Sequence, residues 1–389
     1  MAERLMLYHK PVIVDEDLWV SSAVDNGLYK INPNNSKCEF IRLFPNEKFK
    51  SGYIHSSAVK YESELFFIPF AGRYISSYNL DDGVTKCFGL KHYSDDMNSL
   101  FYNCVVEGEY LYLVPCRYEY IVEFNMKTSE IQEYKAFDRK GQDSKDIEPF
   151  VLKGGCIGEG KLYIGENQKN RIVEFDITTK EISRHEIEFE LSGISNLEYI
   201  NGELWVFGKN GTILYGDIKR GDFNVLEGIE ISNAGHFGVF FESVVVGTDI
   251  YVSKSTERVV YRINTKEKVV RAIIKFSDFD KKSDFCPFDI FTLYVTDNEL
   301  RALDSVSGET YRYDFELDRI NEQTFTPITD EIIDYSKYKG NAEGTNIGEA
   351  ERNGLELSSF LQCLREGQYA QCFTYEGRDG KGVIINEGQ

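Results

Sequence analysis

No two of the eight cysteines in this 389-residue chain form a Cys-x-x-Cys pair, and none stands beside histidine at zinc-ligand spacing. They fall at 38, 87, 104, 116, 156, 286, 363 and 372, and read as free thiols, mostly small buried apolar residues, in a reducing cytoplasm. Proline is scarce, with eight residues, which excludes Pro-rich linkers. No apolar run is long enough to span a bilayer. The opening MAERLMLYHKPVIV lacks the basic flank and apolar core of a signal peptide. Positive charge is short too: 44 Lys and Arg face 64 Asp and Glu, a net charge of −20. Nucleic acid and anionic lipid are recognised largely through phosphate neutralisation by bases, so neither is an expected partner. The balance suits a soluble cytoplasmic protein kept apart by its own charge.

Catalytic signatures are missing as well. There is no Gly-x-Ser-x-Gly elbow, no His-Glu-x-x-His and no EF-hand loop. Gly377-Arg-Asp-Gly-Lys-Gly lacks phosphate-loop spacing, and Gly158-Glu159-Gly160 is a hairpin turn rather than a dinucleotide fingerprint. The sequons at Asn34 and Asn210 carry no meaning without secretion. No metal or cofactor is expected.

What the chain has is repetition. A turn-like pair, an aliphatic residue and usually an aromatic one recur at Leu18-Trp19, Leu65-Phe66, Leu111-Tyr112, Leu162-Tyr163, Leu204-Trp205, Ile250-Tyr251 and Leu300-Arg301. The steps between the aliphatic members are 47, 46, 51, 42, 46 and 50 residues. A second marker keeps the same beat: Asn32, Asn79, Asn125, Asp176, Asp217, Asn264 and Asp314. The 25 Tyr and 27 Phe favour pleated sheet. Strand-rich repeats of this length indicate a propeller. The fold class is therefore all-β, a seven-bladed β-propeller of four-stranded blades over residues 1–328. In each repeat a short apolar strand leads, as at Pro11-Val14, Ser57-Tyr61, Asn103-Val106 and Glu242-Val246. A tight turn follows, placed at Ser63-Glu64 in the second repeat. The aliphatic-aromatic strand comes next. The third strand ends in Asp or Asn, whose side chain bonds its own turn. In the last repeat Asp314 is preferred to Asp304 as that closing residue, with a fourth strand near Thr324-Ile328.

Loops 136–149 and 276–285 read as insertions. From Thr329 to Gln389 the rhythm stops, and a C-terminal extension is expected: a polar linker, a helix over Leu355-Arg365 and a hairpin, packed on the propeller or binding a partner.

Connections between strands two and three open on the face where propellers usually meet ligands. They carry seven bases, Arg73, Arg117, Lys169, Arg171, Lys209, Lys254 and Arg258, against three acids, Glu119, Glu166 and Glu257; the first repeat adds Asp25. Arg offers a planar fork for carboxylate or phosphate, and Tyr a stacking face. The candidate ligand-binding set is Arg73, Tyr74, Arg117, Tyr118, Asn167, Arg171, Lys209, Lys254 and Arg258, for a small anionic or sugar ligand at the channel mouth. The competing explanation is solvated or mutually paired loop charge. His55 and His236 each precede an innermost strand, and with Glu166 they are the candidate catalytic groups. The alternative is a histidine hydrogen-bonded at a strand start.

LWVSSAVDNGLYKIN at 18–32, LYIGENQKNRIVEFD at 162–176 and LWVFGKNGTILYGD at 204–217 resemble the NHL, YVTN and streptogramin-lyase-like propellers, over about residues 11–328. The lyase branch carries repeated His-Gly pairs and a His/Glu set for magnesium. Here only His236-Phe237-Gly238 approaches that pattern, so no lyase site is carried over. The resemblance implies a propeller; function has to come from the site. Three functions stay open: non-catalytic binding of a ligand or protein partner, a channel-mouth hydrolase or lyase, and an interaction scaffold.

Overall fold

The computed structural model describes residues 8, 10–22, 26–32, 37–47, 54–94, 97, 99–138, 149–229, 240–254, 256–276, 291–296, 298–304 and 309–325. Its strands form seven four-stranded antiparallel sheets, each with its strands in chain order. These are blades 1 to 7, at 12–43, 55–89, 101–135, 155–186, 194–225, 240–275 and 291–325. The fold is a seven-bladed β-propeller. Blades 1 and 2 belong to one compact unit and blades 3 to 7 to another. The predicted extension from Thr329 lies outside the described residues, as do Asp25 and His236 and most of the two insertions.

Two local rules build each blade. The first is a two-residue turn between strands one and two that requires positive φ, found at Asp15, Glu62, Gly108, Asn201 and Gly247 among others. In blade 2 this turn sits at Glu62-Ser63, and strand two already starts at Glu64, one residue earlier than the sequence reading placed it. The second rule is the Asp or Asn that closes strand three. Its Oδ1 accepts backbone N–H groups two and three residues on, as Asn125 does from Lys127 and Thr128 at 2.9 Å each. Asn79, Asp176, Asn264 and Asp314 do the same. The fourth residue on then turns left-handed: Gly83 (+71°), Ser129 (+63°), Lys180 (+64°), Gly221 (+66°), Lys268 (+57°) and Asp318 (+51°). Because that turn is so short, the last blade's fourth strand is Arg319–Phe325, earlier than the expected 324–328. Asp314 is the closing residue there, as preferred.

A left-handed backbone disfavours most L-residues, so the long side chains at three of these positions need a reason. Each reaches back to the preceding blade. Lys180 pairs with Glu123 of blade 3. Lys268 pairs with Glu203 of blade 5 and lies 4.6 Å from the Trp205 ring centre and 4.1 Å from that of Tyr215. Asp318 receives Arg262 (3.0 Å) and Arg271 of blade 6.

The core lies between blades. Leu162, Ile164, Val173 and Phe175 of blade 4 pack with Tyr112 and Ile121 of blade 3. Leu197, Leu204, Val206 and Leu214 of blade 5 pack with Tyr163 and Ile172 of blade 4. Trp205, Phe207 and Ile213 meet Phe240, Ile250 and Val252 of blade 6. In the other unit Trp19 and Leu28 of blade 1 meet Leu65 and Phe67 of blade 2. The repeated aliphatic-aromatic pair is thus inter-blade packing, each buried large side chain stabilising by about 1.5–3 kcal/mol. First strands of consecutive blades lie side by side from blade 3 to blade 7, so strand one is the inner strand. Of the described cysteines, Cys116 and Cys156 are buried, while Cys38, Cys87 and Cys104 are only partly so.

Candidate functional site

In blades 1 and 2, His55 starts its inner strand and is 2% exposed. Ser21 Oγ lies 2.8 Å from its Nδ1, and the Phe44 ring sits edge-on at 4.4 Å. Burial lowers its pKa to about 3, so the ring is neutral. Arg73 and Tyr74 form a turn whose two N–H groups donate to Glu47 Oε1 at 2.7 and 3.0 Å. Glu47 is itself buried, so this loop is built around an internal carboxylate.

In blades 3 to 7 the predicted residues each have local contacts of their own. Tyr118 is fully buried and donates its hydroxyl to Glu133 of strand four at 2.8 Å. Burial and that carboxylate raise its pKa. Glu133 also takes His92 Nδ1 at 2.6 Å, and the His92 ring stacks on Tyr120 at 3.9 Å. Arg117 donates its N–H to Ser99. Asn167 is completely buried, with its Nδ2 on the Pro149 carbonyl at 3.2 Å. Arg171 meets Glu166 at 2.5 Å and Glu186 at 3.5 Å, and Lys169 lies 3.4 Å from Glu166. The hydrogen bond to Glu166 is the chief reason the Arg171 pKa is raised. Lys254 is buried against Glu257. Burial acts to raise the Glu257 pKa, but hydrogen bonds from Lys254 and Tyr261 bring it down. Lys209 is 8% exposed and donates its N–H to Gly193. Arg258 adopts φ +55°, and its carbonyl takes the Phe276 N–H. Three of the seven loop bases are thus paired with an acid of their own loop: Lys169 and Arg171 with Glu166, and Lys254 with Glu257.

What the structure does bring together is a polar network at the loop-facing end of the inner strands. Pairing places Asn103 opposite Val114 and Asn196 opposite Phe207, each beside a bulge. Glu242 takes the same register in blade 6, where its N–H meets Ser253 Oγ at 3.0 Å. Asn103 Nδ2 donates to the Lys153 carbonyl at 3.0 Å. Lys153 N–H donates to the Ser195 carbonyl at 3.2 Å, and Asn196 Nδ2 to Ser243 Oγ at 2.7 Å. Ser243 donates in turn to Glu198 at 2.5 Å. Lys153 then reaches past blade 5 to bond Glu242 of blade 6, and the two side chains are only 5% and 6% exposed. Blades 3, 5 and 6 and the segment leading into blade 4 are tied by these contacts. Sequence reasoning missed Lys153, Asn196 and Glu242 as site residues. A signal existed: Ser57, Asn103 and Glu242 are polar residues at the head of mostly apolar strand-one segments.

Among the described residues no three His, Cys, Asp or Glu side chains converge to hold a metal, and no helix is long and apolar enough to cross a membrane.

No family model matches this chain, and no curated protein sequence matches it. Solved structures do. A streptogramin B lyase aligns with a TM-score of 0.56 at 10% identity, over 78% of this chain and 93% of that one. BamB from Moraxella catarrhalis aligns at 0.50 and 13% identity, over 77% and 82%. PorZ, a surface component of the type-IX secretion system of Porphyromonas gingivalis, aligns at 0.56 and 11% identity, over 84% of this chain but 39% of that one. The chain resembles a streptogramin-lyase-like propeller. At such identities the likeness is one of fold alone.

Proposed function

We propose that the chain is a non-catalytic binding propeller whose ligand meets the loop-facing end of the inner strands in blades 3 to 6. Of the two ligand classes open from sequence, the pairing of Lys169, Arg171 and Lys254 with acids of their own loops favours a polyhydroxylated, carbohydrate-like ligand over a strongly anionic one. The observation that carries this reading is the charge-matched network of Asn103, Lys153, Asn196 and Glu242. Such a network presents donors and acceptors together, which is what sugar hydroxyls need, each being both. A channel-mouth hydrolase or lyase has less support. His55 is enclosed by aromatic rings, and Glu166 already holds Arg171 and Lys169. An interaction scaffold is the second reading, drawn from the likeness to a secretion-system component.

The test is calorimetric titration of the full chain with neutral oligosaccharides and, separately, with phosphate and dicarboxylates, at low and high salt. The expected result is salt-insensitive binding of a neutral sugar that Asn196→Ala weakens. Binding confined to anions and abolished by salt would overturn the ligand class.

A further inference from the structure

Away from the inner strands, blade 3 assembles a second polar cluster on its fourth strand, Ile131–Lys135. The Glu133 side chain there is only 1% exposed. Three donors end on it. Oε1 takes the Lys91 N–H at 2.7 Å, and Oε2 takes the Tyr118 hydroxyl at 2.8 Å and His92 Nδ1 at 2.6 Å. The Tyr118 oxygen itself accepts the His92 N–H at 3.1 Å, so its own proton points to the carboxylate. Three donors call for an acceptor-only group, which is the ionised carboxylate. That fixes the tautomer of the neutral ring: Nδ1 carries the proton and Nε2 the lone pair. The ring plane is fixed as well, stacked on Tyr120 at 3.9 Å and 7°. The His92 side chain is 45% exposed, and its Nε2 makes no hydrogen bond among the described residues.

A second histidine–carboxylate pair shows what is particular to this one. His185 Nε2 lies 3.1 Å from Glu174, but that carboxylate also holds the Lys161 ammonium, so its charge is already matched. Glu133 carries no Lys or Arg side chain among the described residues, and Lys91 gives it only a backbone N–H.

We propose that His92 is a nucleophilic modification site, a carboxylate–imidazole dyad whose Nε2 takes an acyl group from an activated ester or anhydride. A carboxylate on the far nitrogen orients an imidazole, raises its basicity and stabilises the imidazolium that forms as it reacts. The Nε2 lone pair makes the new bond to the carbonyl carbon. The bond from that carbon to the leaving oxygen breaks, and the oxygen carries off the electron pair. The Nδ1 proton then passes through solvent to that oxygen, so imidazole and donor end as acylimidazole and alcohol or acid. The dyad stands on an outer strand, and the proposal does not rest on the ligand of the inner-strand network.

The experiment treats the full chain with a small excess of diethyl pyrocarbonate at neutral pH, and follows ethoxycarbonylation of each histidine by peptide mass spectrometry. His92 is expected to react at least tenfold faster than His185 in wild type. Glu133→Gln is expected to slow His92 at least fivefold and leave the His185 rate unchanged, which also reports that the fold is intact. A wild-type His92 rate no higher than that of His185 overturns the proposal, whatever the variant does. So does an undiminished His92 rate in a folded Glu133→Gln, or a loss matched by an equal loss at His185. Should Glu133→Gln fail to fold, the wild-type ratio alone decides.

Discussion

Removing Lys153 alone should cost far more than removing it together with Glu242. The pair joins residues 89 apart in sequence, and its side chains are 5% and 6% exposed. Taking two charges out of water is costly, and their attraction offsets that cost only while both are present. Lys153→Met leaves the Glu242 carboxylate buried and uncompensated, with an expected loss of about 3–5 kcal/mol. Lys153→Met with Glu242→Leu removes both charges and keeps apolar volume, so it should lie within about 1 kcal/mol of wild type or above it. The coupling in a double-mutant cycle should then be about 3 kcal/mol or more, far outside the additivity expected of independent sites. Urea unfolding followed by tryptophan fluorescence reads this directly, because Trp205 is fully buried in blade 5 beside the network. A shift in midpoint at constant m measures stability. If the single variant loses less than about 1 kcal/mol, or the cycle shows no coupling, the pair is solvated and the network has no fixed electrostatic core.

Three further outcomes follow from other parts of the fold. Lys268→Ala removes both the Glu203 pair and the stacking over Trp205 and Tyr215, and should cost about 1–2 kcal/mol in urea unfolding, where Lys268→Met should recover part through its stem. Gly193→Ala should lower soluble yield and Tm sharply, because Gly193 sits at φ +102° and an added Cβ would lie 1.9 Å from the Asn167 carbonyl oxygen. For His55 the folded pKa of about 3 lies below the ordinary value of 6.5. Only the unfolded chain binds this proton in between, so the stability that His55 confers is complete above pH 6.5 and lost as pH falls from about 6.5 towards 3. The stability difference between wild type and His55→Gln should change by about 1.4 kcal/mol per pH unit in that window, and a flat difference from pH 7 to 4 would show that the ring is hydrated.

The legibility of this chain divides by range. The seven blades could be read because their rules are local. A Leu-aromatic pair alternates faces with period two, and an Asp or Asn bonds N–H groups only two and three residues away. Those signals survive in a linear string, so the blade count, the strand order and the choice of Asp314 all followed from it. Loop charge was legible too, but its meaning was not. Arg171 and Lys169 read as a basic patch until the fold turned Glu166 towards both. Tyr118 read as a stacking face, yet it is buried against Glu133 fifteen residues on.

By itself, then, the sequence determined the propeller and its repeat, because backbone turns and face alternation are set within a few residues. Only the tertiary structure decided which polar groups meet. Lys153 opens a glycine-rich stretch and Glu242 is the third residue of a strand, and nothing local links them. They become partners because blade packing brings inner strands side by side, so a buried ammonium must find a carboxylate two blades away.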